Sequence, residues 1–111
     1  MDIIIFSGQS NMQGSTGQKG SSRAENCWEY KYLTDDFVMV QDPVGEDIGE
    51  DIFRAPVDGG GSLVPAFCKA YAKKKGSVAA MHCAKGATAI HEWQPGTSRY
   101  NALIEKCKKG I

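Results

Sequence analysis

The 111 residues fit one small domain with a usable but modest core. Hydrophobic residues make up 41% and charged ones 23%, the balance of an ordinary globular chain. Lys plus Arg equal Asp plus Glu at 13 each, so no net field draws the chain toward nucleic acid or acidic lipid.

The first element is Ile3-Ile4-Ile5-Phe6, an apolar run without alternation that predicts a strand covered on both faces, as in a parallel α/β sheet. It breaks at once into Gly8-Gln9-Ser10-Asn11-Met12. Ligands of such sheets bind beyond the carboxyl ends of the strands, where Gly8 lets the backbone bend and Ser10 is presented as a candidate nucleophile. An ordinary Gly-Ser turn has the same spacing. Asp2 stands where a signal peptide would carry basic residues, and no run approaches the ~20 apolar residues of a membrane span. A soluble chain is expected, with the cytoplasm favoured as its compartment.

Gln13 to Glu25 is rich in Gly, Ser and Gln and predicts a surface loop. Cys27-Trp28 and Tyr30 to Leu33 suit short β segments, and Phe37 to Val40 a clearer strand stopped by Asp42-Pro43. The aromatic rings of Trp28, Tyr30 and Tyr32 suit either sugar stacking or the core. Gly45 to Asp51 is acidic and poor in apolar residues, hence another loop; Asp35, Asp36, Glu50 and Asp51 read as solvated acids.

Gly59-Gly60-Gly61-Ser62 opens a helix with Pro65 in its first turn and an apolar stripe of Leu63, Phe67 and Tyr71, flanked by Val64 and Cys68. Lysines gather at its far end, and Gly76 suits the left-handed C-terminal position. Ser77 to Ala84 predicts a second buried strand, reached by a parallel crossover and broken by Lys85-Gly86-Ala87-Thr88. A last helix is expected from Ser98 to Lys109, with Tyr100, Leu103, Ile104 and Cys107 on one face and Gly110 ending it.

Four cysteines, Cys27, Cys68, Cys83 and Cys107, lack Cys-x-x-Cys spacing and have no histidine set at ligand distance, so a zinc site is not expected. Buried thiols are the favoured reading, with one or two disulfides left open. His82 lies in an apolar run and reads as a strand residue; His91, beside Glu92, suits the surface or a pocket rim. Phosphate binding at Gly8 or Gly59-Gly60-Gly61 has little support, because no complete Gly-x-x-x-x-Gly-Lys-Ser/Thr or Gly-x-Gly-x-x-Gly occurs.

Two strand ends therefore carry small-residue turns, and in a parallel sheet both fall on one edge. A serine there needs a base to take its proton and preorganised donors for the anion formed on acyl attack. Gly8-Gln9-Ser10-Asn11-Met12 after a hydrophobic strand resembles the first block of the SGNH-type esterases, and more narrowly the sialate O-acetylesterase and acetylxylan-esterase-related family of carbohydrate esterases. Gly61-Ser62-Leu63-Val64-Pro65-Ala66-Phe67 is similar to that family's glycine-led helix entry. Cys83-Ala84-Lys85-Gly86-Ala87-Thr88-Ala89-Ile90-His91-Glu92-Trp93 is similar to its Cys-Ala-x-Gly-Gly-Thr-x-Ile-x-x-Trp segment.

The resemblance implies a three-layer, flavodoxin-like parallel sheet reduced to its N-terminal strands and helices. It implies O-deacetylation of a carbohydrate through an acyl-enzyme, with no cofactor and no metal. By position, Ser10 would be the nucleophile, and the amides of Ser10 and Gly86 would line the oxyanion hole. Gln9, Asn11 and Trp93 would meet the substrate, an acetylated sugar. Ala87 replaces the family's second glycine. The later Gln-Gly-Glu and Asp-x-x-His segments do not occur in these residues, so an N-terminal part of the domain, with impaired activity, is expected. A non-catalytic carbohydrate- or partner-binding module is the alternative. A sheet shortened in this way should expose an apolar edge and self-associate.

Overall fold

The computed structural model describes residues 1–14, 25–49, 52–56 and 61–111, with the side chains of Ser10 and Asn11 outside that description. Most of the loop expected from Gln13 to Glu25 lies outside the described residues, as do Glu50, Asp51, Gly59 and Gly60. The Ile-rich run forms β1 (Asp2–Gly8), followed by a single helical turn, α1 (Ser10–Gln13). β2 (Cys27–Lys31) and β3 (Asp36–Met39) make an antiparallel hairpin, so the two aromatic segments fold as one unit. Then come α2 (Val64–Lys75), β4 (Val78–Ala84), a 3₁₀ turn at Ile90–Trp93 and α3 (Ser98–Gly110).

The sheet runs β1-β4-β2-β3, with β4 parallel to both β1 and β2. All seven residues of β4 are buried, as an apolar run between two strands and two helices requires. On one face, Phe6, Val64, Cys68, Val78 and Ala80 share a core with Cys27 and Val40. On the other face, Tyr30, Met81 and Cys107 pack with Tyr32 and Leu103. All four cysteines are free and buried, which resolves the disulfide alternative.

Two expectations are corrected. β1 is not covered on both faces: among the described residues it is an edge strand paired with β4 alone, and Ile3 and Ile5 are exposed. The reason is that α3 packs over β4 and β2 instead of β1, while α2 covers the Phe6 side. In α2, the buried side chains are Val64, Pro65 and Cys68, whereas Leu63 precedes the helix and is exposed. Phe67 meets Phe6 edge-on at 5.4 Å over the sheet margin, which leaves it 46% exposed.

Helix α3 does end at Gly110, which is its last residue. A Cβ there would lie 2.4 Å from Met81 Cε and 2.9 Å from the Tyr30 ring, so glycine lets the helix approach the sheet. Gly76 caps α2, its amide donating to the Ala72 carbonyl, but at φ +87° and ψ −160° it lies outside the left-handed helical conformation expected of it.

Candidate active site

The β1–β4 register pairs Gly8 with Ala84, which brings the two small-residue bends side by side at the carboxyl ends of the strands. The Lys85 amide donates to the Gly8 carbonyl at 3.1 Å, extending the ladder into the bends. Gly8 adopts φ +150°, and a Cβ there would sit 3.2 Å from Met12 Cβ; without one, the chain folds straight back into α1. Ser10 is the first residue of that turn, and Asn11 the second. The Gln13 amide donates to the Gln9 carbonyl at 2.8 Å, closing the turn.

Two buried side chains hold the turn from beneath. Gln13, 5% exposed, donates through Nε2 to the Ala55 carbonyl at 2.9 Å and accepts the Gly86 amide on Oε1 at 2.6 Å. His82, 1% exposed, places Nε2 2.6 Å from the Met12 carbonyl oxygen. Burial pulls the His82 pKa down to about 4; the Met12 contact and Asp42 oppose that shift, while Lys106 and Lys31 add to it. A neutral ring whose Nε2 is bound to a carbonyl does not serve as the base for Ser10, in line with its reading as a strand residue. His91 is exposed in the 3₁₀ turn.

The Gly86 amide, which the resemblance assigns to the oxyanion hole, donates to Gln13 Oε1 at 2.6 Å. Gln13 was the residue that sequence reasoning missed: it opens a polar stretch without periodicity, and only the fold puts it under Gly86.

A cleft of about 420 Å³ opens beside the turn, lined by Ser7, Gly8, Gln9, Thr88, Trp93 and Leu103 among others. Both Gln9 and Trp93, expected at the substrate, border it. Trp93 is anchored, with Nε1 donating to Thr88 Oγ1 at 3.1 Å, Phe53 stacked at 6.0 Å and the Arg99 guanidinium 5.8 Å from the ring centroid. Arg99 is braced in turn by Glu92 and the Ile52 carbonyl. Such a ring forms a rigid wall. Trp28, Tyr30 and Tyr32 lie on the hairpin side of the sheet, Tyr30 in the core. Among the described residues, no cluster of His, Cys, Asp or Glu could hold a metal ion, and no helix is long and apolar enough to cross a membrane.

A largely parallel α/β sheet with two small-residue bends at its carboxyl edge is an open α/β fold of the kind that takes ligands beyond its strand ends. More narrowly, the family model described as carbohydrate esterase, sialic acid-specific acetylesterase matches residues 1–111, and the chain belongs to that family. Among solved structures, a protein from Arabidopsis thaliana is similar at TM-score 0.71 and 20% identity, over 97% of this chain and 50% of that one. The chain thus spans about half the length of that solved neighbour, and the likeness is one of fold. Comparison with curated proteins gives no match.

Proposed function

We propose that the chain carries the nucleophilic half of a serine esterase site that removes O-acetyl groups from a carbohydrate of sialate or xylan type. The observation that carries this reading is the Ser10 turn at the end of β1, set against the end of β4 and beside the cleft that Trp93 walls. The Ser10 hydroxyl attacks the acetyl carbonyl while a base takes its proton. The tetrahedral anion collapses with loss of the protonated sugar oxygen. Water then releases acetate from the acetyl-serine by the same route. The Ser10 amide is the proposed oxyanion donor from this half; Gln9 and Asn11 flank the acyl group, and Trp93 contacts the sugar. We further propose that residues 1–111 are the N-terminal part of a larger esterase domain.

The base is the weak point of the 111 residues taken alone. His82 is occupied by Met12, and His91 is on the exposed 3₁₀ turn. Catalysis without one triad member retains roughly 10³–10⁴-fold acceleration over water, from binding and oxyanion stabilisation. Slow acetate release from an acetylated sugar is therefore expected, and mass spectrometry of the chain with an activated acetyl ester should show an acetyl adduct on Ser10 that Ser10→Ala lacks. An adduct on another residue, or none on Ser10 while acetate is released, would remove Ser10 from the mechanism. The placement of the two histidines also favours a second reading, a module that binds acetylated glycan without hydrolysis; saturable binding with no acetate released would select it.

A further inference from the structure

We propose that His82 is a positioning residue for the serine-bearing turn, donating its Nε2 proton to the Met12 carbonyl and thereby fixing α1 against β4. The catalytic meaning of this role rests on the esterase reading above; the clamp itself is tested without turnover.

β4 is otherwise built of Val, Ala, Met and Cys, and an ionisable ring buried in such a strand must find a hydrogen-bond partner. Its partner is a carbonyl, which only accepts, so Nε2 carries the proton and the ring is the Nε2–H tautomer. Burial keeps that ring neutral at pH 7. On the other side, a one-turn helix leaves the carbonyls of its last residues without intrahelical partners. Met12 lies two residues beyond Ser10, and His82 satisfies its carbonyl from the buried side.

The ring is flanked on its far side as well. Gly45 lies against its opposite edge, where a Cβ would come within 2.4 Å of Nδ1. Gly45 is itself pinned: its amide donates to Glu29 Oε2 at 2.7 Å, and its carbonyl accepts from Lys31 Nζ at 2.8 Å. Lys106, buried at 1% exposure, donates to the His82 carbonyl at 2.9 Å and pairs with Glu46 at 3.1 Å. A continuous set of contacts thus runs from β2 through Gly45 to the imidazole and on to the turn that holds Ser10.

The test compares amide hydrogen exchange in the wild-type chain, His82→Leu and His82→Gln. In the Leu variant the Gln13 amide should exchange at least tenfold faster than any change shared with the slowest amides of β4. In the Gln variant, whose side-chain nitrogen can stand near the place of Nε2, exchange should return to within about threefold of wild type. Proton–nitrogen correlation spectra of the wild-type imidazole should show the Nε2–H tautomer, a readout that survives even if the Leu variant does not fold. An Nδ1–H tautomer, or Gln13 and β4 amides accelerating equally in the Leu variant, would overturn the clamp. The acetyl adduct on Ser10 bears only on the esterase reading, so the two failures are told apart.

Discussion

His82 makes this protein acid-sensitive in a predictable window. Its folded pKa lies near 4 against an ordinary value of 6.5, so the unfolded chain binds a proton that the native state refuses. Between those values the unfolded state holds more protons, and stability rises with pH; it is fully present above about pH 6.5 and falls away as pH drops toward 4. The full loss is on the order of 3 kcal/mol. Lys106 from α3 and Lys31 from β2 face the ring and reinforce the shift, whereas Asp42 opposes it. Urea denaturation at a series of pH values should show this decline, and His82→Gln should flatten it. Ala87 offers a second residue-scale test. It adopts φ +59°, a conformation that costs a side chain but not glycine, and it stands where the resembled family has glycine. Ala87→Gly should raise stability by up to about 1 kcal/mol in the same assay.

At the scale of elements, α3 is the one whose close approach depends on a single position. Gly110→Val would drive side-chain atoms into Met81 and the Tyr30 ring, both buried. Overpacking of this kind costs about 1–3 kcal/mol, so a drop in the thermal midpoint is expected, with the β-sheet circular dichroism retained. This packing also shows what the sequence made legible. Strand β4, helix α3 and the pairing of the two bends follow from a buried apolar run, a 3.6-residue stripe and the parallel register those imply. The role of Gly110 did not, because a glycine at a helix end reads locally as a stop, and only the depth of α3 on the sheet turns it into a contact. In the same way, Leu63, Phe67 and Tyr71 form a stripe by spacing. Which part of the stripe is buried depends on how far the sheet extends beneath α2, a fact held by other strands. Gln13 and Gly86 are legible only as a pair, across 73 residues.

For the whole molecule, the governing fact is that β1, the strand leading into the serine, is the margin of the sheet. Its outer hydrogen-bonding groups have no strand beside them among the described residues, and Ile3 and Ile5 add apolar surface at 36% and 46% exposure. An edge of this kind is a template for pairing. We expect the 111-residue chain to associate with concentration in sedimentation velocity, and Ile5→Lys to shift it toward monomer without changing its secondary structure. A monomer at all concentrations would show that the edge is protected by other means.

The turn that presents Ser10 is written in the first 14 residues, yet its restraints come from far downstream: Ala55, His82, Lys85 and Gly86. A ribosome therefore makes the Ser10 bend first and its restraints last. Until residue 103 has emerged, the nascent chain owns that serine without the full lining of the cleft beside it.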